Sequence, residues 1–320
     1  MEIFNTRTVV LIMTCHVERD SVKRSRIPYI LLIPFFLDLV IFSFFTLGFG
    51  VYISFTDWRS YLPLNEAKFI GLANYITAVT GDPVFLLAIK NAFVYVLYEP
   101  ITILIGFFLA LLLNSAVRGR SIFRTIFFIP VITSTVAISF VWGWLYNFNS
   151  GPFNSILRYL HLPPQYWLGT NLEAIPSVLP MTIASVMLMS IWQWIGLNVI
   201  IFLAGLQSIP KEYHEAARIS GAGTWGSFRH VTVPLLKPTL LFVVLTATAG
   251  SLQVFTEVFM LSRVSPGNIT MVPVQWMYQN AFSNSLMGYG AAMSWTFFLV
   301  VLAVALVEIW ILRRGGIAYY

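Results

Sequence analysis

The sequence predicts an all-α integral membrane protein with six transmembrane helices, and three observations predict it. Hydrophobic residues make up 58% of the 320 residues and charged residues only 10%, where a soluble domain carries roughly 25% charged residues. Six apolar runs, at 28–55, 84–114, 125–147, 177–204, 239–262 and 286–312, each reach the about 20 residues that a bilayer crossing needs. The segments between these runs alternate in basic content. Of the 19 Lys and Arg, only Arg59, Lys68, Lys90, Arg158 and Arg263 fall on one side of the predicted topology, and all the others fall on the opposite side. Cytoplasmic loops hold the excess of Lys and Arg. Both termini and the segment 207–238 are therefore expected inside.

Residues 1–27 are polar and basic, with Arg7, Arg19, Lys23, Arg24 and Arg26. The apolar patch Val9 to Met13 is too short to span and no small-residue cleavage site follows it, so the expectation is a cytoplasmic tail and not a signal peptide. Three acids lie in or near the apolar runs. Asp38 and Glu99, the latter followed by Pro100, read as interior hydrogen-bonded groups; Glu257 reads equally as such a group or as a pathway residue. The Pro-rich segment 148–176 has no counterpart in the other half, unlike a transporter built from inverted repeats. Residues 313–320 are expected to form a short cytoplasmic tail.

The one long polar interruption is Gln207 to Pro238. Pro210 suits a first helical turn, where its missing N–H is not needed, and good helix formers follow through Arg218. Gly221 supplies the left-handed stop that helix ends favour. Thr224 is placed to cap a second short helix, and Pro234 and Pro238 are expected to end the segment before the fifth run. The turn between the helices carries only small side chains, Ser220, Gly221, Ala222 and Gly223. Such a turn lets a backbone seat closely in a groove on another protein.

Several function classes are absent from the sequence. It holds no Gly-x-x-x-x-Gly-Lys-Ser/Thr phosphate loop and no His-Glu-x-x-His. The single Cys15 excludes a disulfide framework. His16, His161, His214 and His230 are scattered over tails and loops. A net charge of +6 reports topology and not nucleic-acid binding, because the basic residues sit at the ends of apolar runs.

Glu215-Ala216-Ala217, three residues, Gly221, nine residues and Val231-Thr232-Val233-Pro234 resemble the EAA loop of ATP-binding-cassette (ABC) importer permeases, with Val at two places where the family has Ile and Leu. Phe69 to Tyr75 resembles the Phe-x-Gly-Leu-x-Asn-Tyr segment of sugar-importer permeases. Arg118-Gly119-Arg120, Phe123-Arg124 and Ile129-Pro130 are similar to a further family landmark, as are Trp144 to Asn147 with Gly151 and Asn154. The resemblance covers the chain from about residue 28 onward. It implies a type I ABC importer permease fold of the carbohydrate (maltose or glycerol-phosphate) type, in a prokaryotic cell membrane.

By this resemblance the chain is half of a heterodimeric pore, working with a second permease, two ATPase subunits and an extracytoplasmic solute-binding protein. It would be no enzyme and bind no cofactor or metal itself; ATP and Mg would be used by the ATPases. Glu215 would be the docking carboxylate, with Ala216, Ala217, Gly221, Gly223 and Pro234 shaping the coupling loop. Solute contacts would fall at Val131, Thr135, Ser190, Gln193, Trp194, Leu197, Thr246, Ala249, Gly250 and Gln253. Glu257 lies in Gln253-Val254-Phe255-Thr256-Glu257, which resembles a Gln-Val-Phe-Asp-Glu run of sugar-importer fifth spans. Val131, Leu197 and Gly250 depart from the maltose pattern. A glycerol-phosphate or glycerophosphodiester importer, a secondary transporter and a membrane anchor of a signalling complex remain the alternatives.

Overall fold

The computed structural model describes residues 27–115, 119–169, 181–262 and 268–314. Residues 1–26 of the expected N-terminal tail, the start of the fourth run at 177–180, Arg118, Arg263 and residues 315–320 lie outside the described residues. Among the described residues every regular element is helical, and the one strand-like feature is an isolated bridge between Thr56 and Phe69.

The first fifty residues group as one unit. Its described part begins with α1 (Ile27–Asp38), passes through a π-helical turn at Leu39–Phe44 and enters α2 (Phe45–Ser54). Asp38 is exposed within this unit.

The second unit, from Val51 on, takes in the end of α2 and then a loop containing the short α3 (Ala73–Ile76). The second apolar run forms two helices, α4 (Pro83–Val96) and α5 (Glu99–Asn114). Pro100 cannot return an N–H to the Val96 carbonyl, so the ladder stops and restarts across Leu97 and Tyr98. The third run differs from the single helix that its hydropathy suggested. α6 (Arg120–Ile132) and α7 (Thr135–Leu145) meet at 95°. Pro130 removes one bond of the ladder, and the Thr133 hydroxyl donates to the Ile129 carbonyl at 2.7 Å in the place of a backbone donor. Thr133 and Ser134 then run extended, with ψ of 141° and 123°.

α8 (Pro152–Tyr159) follows, then α9 (Met181–Gln207). The polar segment folds as α10 (Lys211–Ile219) and α11 (Thr224–Ser227), with a π-helical turn at Phe228–Thr232. Three local expectations change here. Pro210 is the residue before α10 and not in its first turn, and Gly223, not Thr224, occupies the cap of α11. Pro234 and Pro238 do not precede the fifth helix; α12 (Val233–Leu252) contains both, Pro234 in its first turn where no N–H is required. α12 then breaks over Gln253–Phe255 before α13 (Thr256–Leu261). α14 (Pro273–Tyr278) and the long α15 (Met287–Arg314) complete the unit.

Among the described residues, five helical stretches are long and apolar enough to cross a bilayer: Leu31–Ser54, Pro83–Asn114, Met181–Gln207, Thr224–Leu261 and Met287–Leu312. The bent α6–α7 pair makes a sixth. α9 is the central strut. It packs most extensively on α5, then on α6 and α12, and Gly196 lets it approach α6 so closely that a Cβ there would overlap the Phe127 carbonyl. By contrast α15 leaves Phe298, Leu299, Leu302, Leu306, Val307, Trp310 and Ile311 exposed. A contiguous apolar flank of this kind fits acyl chains or another helix far better than water.

Candidate translocation cavity and coupling loop

Three of the helix breaks converge. Tyr98 and Glu99 at the α4–α5 break, Thr135 just after the α6–α7 elbow, and Gln253 to Glu257 at the α12–α13 break all line one cavity of about 380 Å³. α9 closes it with Trp194, Leu197 and Asn198, and α12 adds Thr246, Gly250 and Ser251. Interrupted helices leave backbone groups that an apolar bilayer cannot satisfy, so non-helical backbone at membrane depth lies against protein or a water-filled space. The sequence breaks its helices where the wall of the cavity is polar.

Of the residues expected to contact solute, Thr135, Trp194, Leu197, Thr246, Gly250, Gln253 and Glu257 line this cavity. Ser190 and Gln193 do not. Both are fully buried behind the wall, where the Ser190 hydroxyl pairs with the Tyr95 hydroxyl and Gln193 Nε2 donates to Thr135 Oγ1 at 3.0 Å. Among the described residues Gln193 Oε1 has no hydrogen-bond partner. Val131 and Ala249 are not among the lining residues. Glu99 is buried, shares a hydrogen bond with Tyr98 and lines the cavity; among the described residues its Oε2 has no hydrogen-bond partner. Glu257 is hydrogen-bonded by Trp194.

Sequence reasoning missed Tyr95, Tyr98, Asn198, Ser251 and Thr256. Tyr95 and Tyr98 had a readable signal, two tyrosines one turn apart directly before Glu99-Pro100; their rings meet edge-on at 4.9 Å.

In the polar loop, Gly221 adopts φ of 84°, the left-handed value expected from its position. The turn is closed by Gly221 N–H to the Arg218 carbonyl and Ala222 N–H to the Ala217 carbonyl, both at 2.9 Å. Glu215, Ala216, Gly221, Gly223 and Pro234 are exposed and Ala217 is half-buried. His214 Nδ1 lies 2.9 Å from the Ser227 hydroxyl, tying α10 to α11. The exposed Trp225 stacks on Phe228 with ring centroids 5.4 Å apart. Phe228 in turn meets Phe107 of α5 at 6.3 Å, and Phe107 meets Phe202 of α9 at 5.3 Å. An aromatic column thus runs from the loop surface into the helical core.

A separate set of contacts centres on Asp82. Asp82 caps α4, its Oδ1 accepting from the Phe85 N–H at 2.9 Å. Its Oδ2 accepts from Trp276 Nε1 at 2.8 Å and from the Tyr289 hydroxyl at 2.7 Å, so one carboxylate joins α4, α14 and α15. Burial alone would raise the Asp82 pKa; the Trp276, Tyr289 and backbone hydrogen bonds outweigh it and hold the group below the usual carboxylate range. Asn74 ties α3 back with Nδ2 bonds to the Ser54 and Thr56 carbonyls at 3.0 and 2.8 Å. Among the described residues no group of three or more His, Cys, Asp or Glu could hold a metal ion.

Apolar helices broken around a polar cavity, with a polar helical loop at the end of α9, define a polytopic membrane permease. The sequence agrees: residues 102–314 match the family described as binding-protein-dependent transport system inner membrane component, and the chain belongs to it. Over 285 residues it is 37% identical to a probable ABC transporter permease protein of Pyrococcus horikoshii, covering 88% of this chain and 94% of that one. Over 291 residues it is 35% identical to the arabinooligosaccharides transport system permease protein AraP of Bacillus subtilis, covering 90% and 88%. A chain in the crystal structure of a bacterial alginate ABC transporter with an alginate pentasaccharide-bound periplasmic protein shares the fold. The TM-score is 0.76 at 22% identity, covering 92% of this chain and 96% of that one.

Proposed function

We propose that this permease forms half of the translocation pore of an ABC importer for a sugar or oligosaccharide, paired with a second permease. The observation that carries the reading is the composition of the cavity, in which an indole, tyrosines, amides, hydroxyls and carboxyls face one space. Sugar rings present apolar C–H patches to aromatic faces and many hydroxyls to groups that both donate and accept. The transport of arabino-oligosaccharides named for the Bacillus relative supports the same class. In this reading an extracytoplasmic binding protein delivers the solute to the outer side, and both termini lie in the cytoplasm.

Coupling runs through α10 and α11. Glu215 presents a carboxylate to a groove on the ATPase, and the small turn at Gly221 to Gly223 allows the two backbones to approach. ATP and Mg act in the ATPase subunits, and the permease pair is the two-state element that both ATP and solute bias. The test is uptake of labelled arabinotriose and maltotriose by cells expressing the complete transporter, alongside co-purification of the ATPase. Glu215→Lys is expected to lower co-purification and uptake together while leaving the amount of permease in the membrane unchanged. Full uptake by this variant would remove the loop from the docking role.

A further inference from the structure

Among the described residues, nothing in the packing accounts for the missing side chain of Gly250. Gly106, Gly196, Gly205, Gly288 and Gly290 are each pressed against a neighbour, and an added Cβ there would come within 2.7 Å of it. At Gly250 an added Cβ meets nothing within 4 Å, and the backbone lies outside the left-handed region that favours glycine. The residue stands inside α12, where alanine is the more stable choice. What distinguishes the position is the cavity. Thr246, Gly250 and Gln253, at i, i+4 and i+7, share one face of α12; all three are exposed and all three line the cavity. The α12 wall is thus bare backbone at Gly250, with a hydroxyl one turn before it and an amide one turn after. The Thr246 hydroxyl donates to the Phe242 carbonyl at 2.7 Å and so faces the cavity as an acceptor, whereas the Gln253 amide can both donate and accept.

We infer that Gly250 is the size-determining position of the cavity: one ring of the solute lies against the bare α12 backbone there, and side-chain volume at 250 sets the bulkiest solute that passes. The inference rests on the sugar reading for the identity of the solute and adds to it the residue that selects for size. Thr246 and Gln253 stand about 5 Å to either side along the helix, within reach of hydroxyls at the two edges of a ring seated at Gly250. A trisaccharide needs this notch together with the rest of the space, and a smaller sugar can lie elsewhere in it.

Size selection is read first without any solute. In a Cys15→Ser, Thr246→Cys background, the purified complex with its partner subunits is treated with two uncharged thiol reagents, methyl methanethiosulfonate and the bulkier benzyl methanethiosulfonate. Tyr159→Cys, exposed on α8, provides the reference ratio of rates. Gly250→Leu and Gly250→Phe are expected to slow the benzyl reagent at position 246 by about tenfold or more, and the methyl reagent by no more than about twofold. Gly250→Ala should be intermediate, with a melting temperature and a complex yield no lower than those of the Gly250 chain. Uptake of arabinotriose and maltotriose is then compared with that of arabinobiose and maltose in cells carrying each Gly250 variant with Thr246 intact. Relative to wild type, the trisaccharides should fall in the order of side-chain volume, Ala, Leu, Phe, and further than the disaccharides.

Equal slowing of both reagents, or none, overturns the inference. So does a benzyl reagent that fails to react at position 246 in the Gly250 chain, since the open space is then absent. A lower melting temperature or complex yield for Gly250→Ala overturns it as well, because the glycine then serves the packing or bending of α12. An equal loss of uptake for all four sugars removes size selection from this residue. If wild type imports none of the four while the reagent result holds, the sugar reading fails and the size role of Gly250 stands. Import without reagent selectivity overturns the size role alone.

Discussion

Gln193 Nε2 donates to Thr135 Oγ1 across 3.0 Å, so the middle of α9 is tied to the first residue of α7 after the elbow. The two partners do not stand equally. Among the described residues Gln193 Oε1 is already without a hydrogen-bond partner, and leaving a buried polar group unpaired costs about 1–3 kcal/mol.

Thr135→Val is therefore expected to destabilise the complex by about 1–3 kcal/mol, because it strands both ends of the buried Gln193 amide. Gln193→Leu removes the stranded atom together with the donor and should cost less. Thermal unfolding of the purified complexes, measured for both variants and their combination, gives the order. A larger loss for Gln193→Leu than for Thr135→Val would refute this account of the pair.

Topology follows from the basic asymmetry and is checked with two exposed positions. Tyr159 is 85% exposed on α8 and Ile219 is 89% exposed at the end of α10. In a Cys15→Ser background, an impermeant thiol reagent added to intact cells should label Tyr159→Cys and spare Ile219→Cys. Outside labelling at 219 would invert the assignment of the polar loop to the cytoplasm.

Gly221 and Gly223 separate conformation from docking. At φ of 84° a Cβ on Gly221 is strained whatever the space around it, so Gly221→Ala should lower stability by roughly 1–2 kcal/mol. Gly223 has φ of −69° and nothing within 4 Å of an added Cβ. Gly223→Ala should then leave the melting temperature of the isolated permease unchanged and weaken only its recovery with the ATPase. Unchanged ATPase recovery would mean that no backbone seats against this turn.

Asp82→Asn should destabilise the fold by about 2 kcal/mol, since the carboxylate accepts from a backbone N–H, an indole and a phenol at once. The pH dependence has a definite sign. The folded-state pKa is depressed, so the stabilisation is complete above the ordinary carboxylate value and is lost as pH falls through the depressed one. Wild-type and variant unfolding curves should converge in acid and separate toward neutral pH. Parallel curves across that range would show that the charge contributes nothing.

The apolar runs and the left-handed Gly221 were legible, because each depends on composition or on the conformational limits of a single residue; the break before Pro100, inside a run read as one span, was not. Nor was the elbow. Hydropathy over 125–147 is continuous, and the turn depends on Pro130, Thr133 and Ser134 acting together with the close seat of Phe127 against Gly196. The fifth helix misled in the other direction: Pro234 and Pro238 look like terminators, yet one stands in the first turn and the other is tolerated inside α12. Cavity membership was legible residue by residue only in part. Ser190 and Gln193 share α9 with Trp194, and which of them meets the cavity is decided by the rotation of that helix against α5 and α7, which sequence spacing alone does not supply.

The 95° elbow also has a consequence for how the protein is made. During synthesis the membrane insertion machinery receives the third run as one uninterrupted apolar segment, long enough to be laid across the bilayer straight. In the finished fold Phe127, before the elbow, seats against Gly196 of α9, which is translated more than forty residues after the elbow. The expectation is that a nascent chain lacking α9 holds the third run straight and bends it once α9 arrives. Ribosome-stalled chains ending before Met181 should expose Ile132 and Thr135 to lipid-borne crosslinkers, and chains stalled well beyond Gln207 should not, which dates the bend to the arrival of α9.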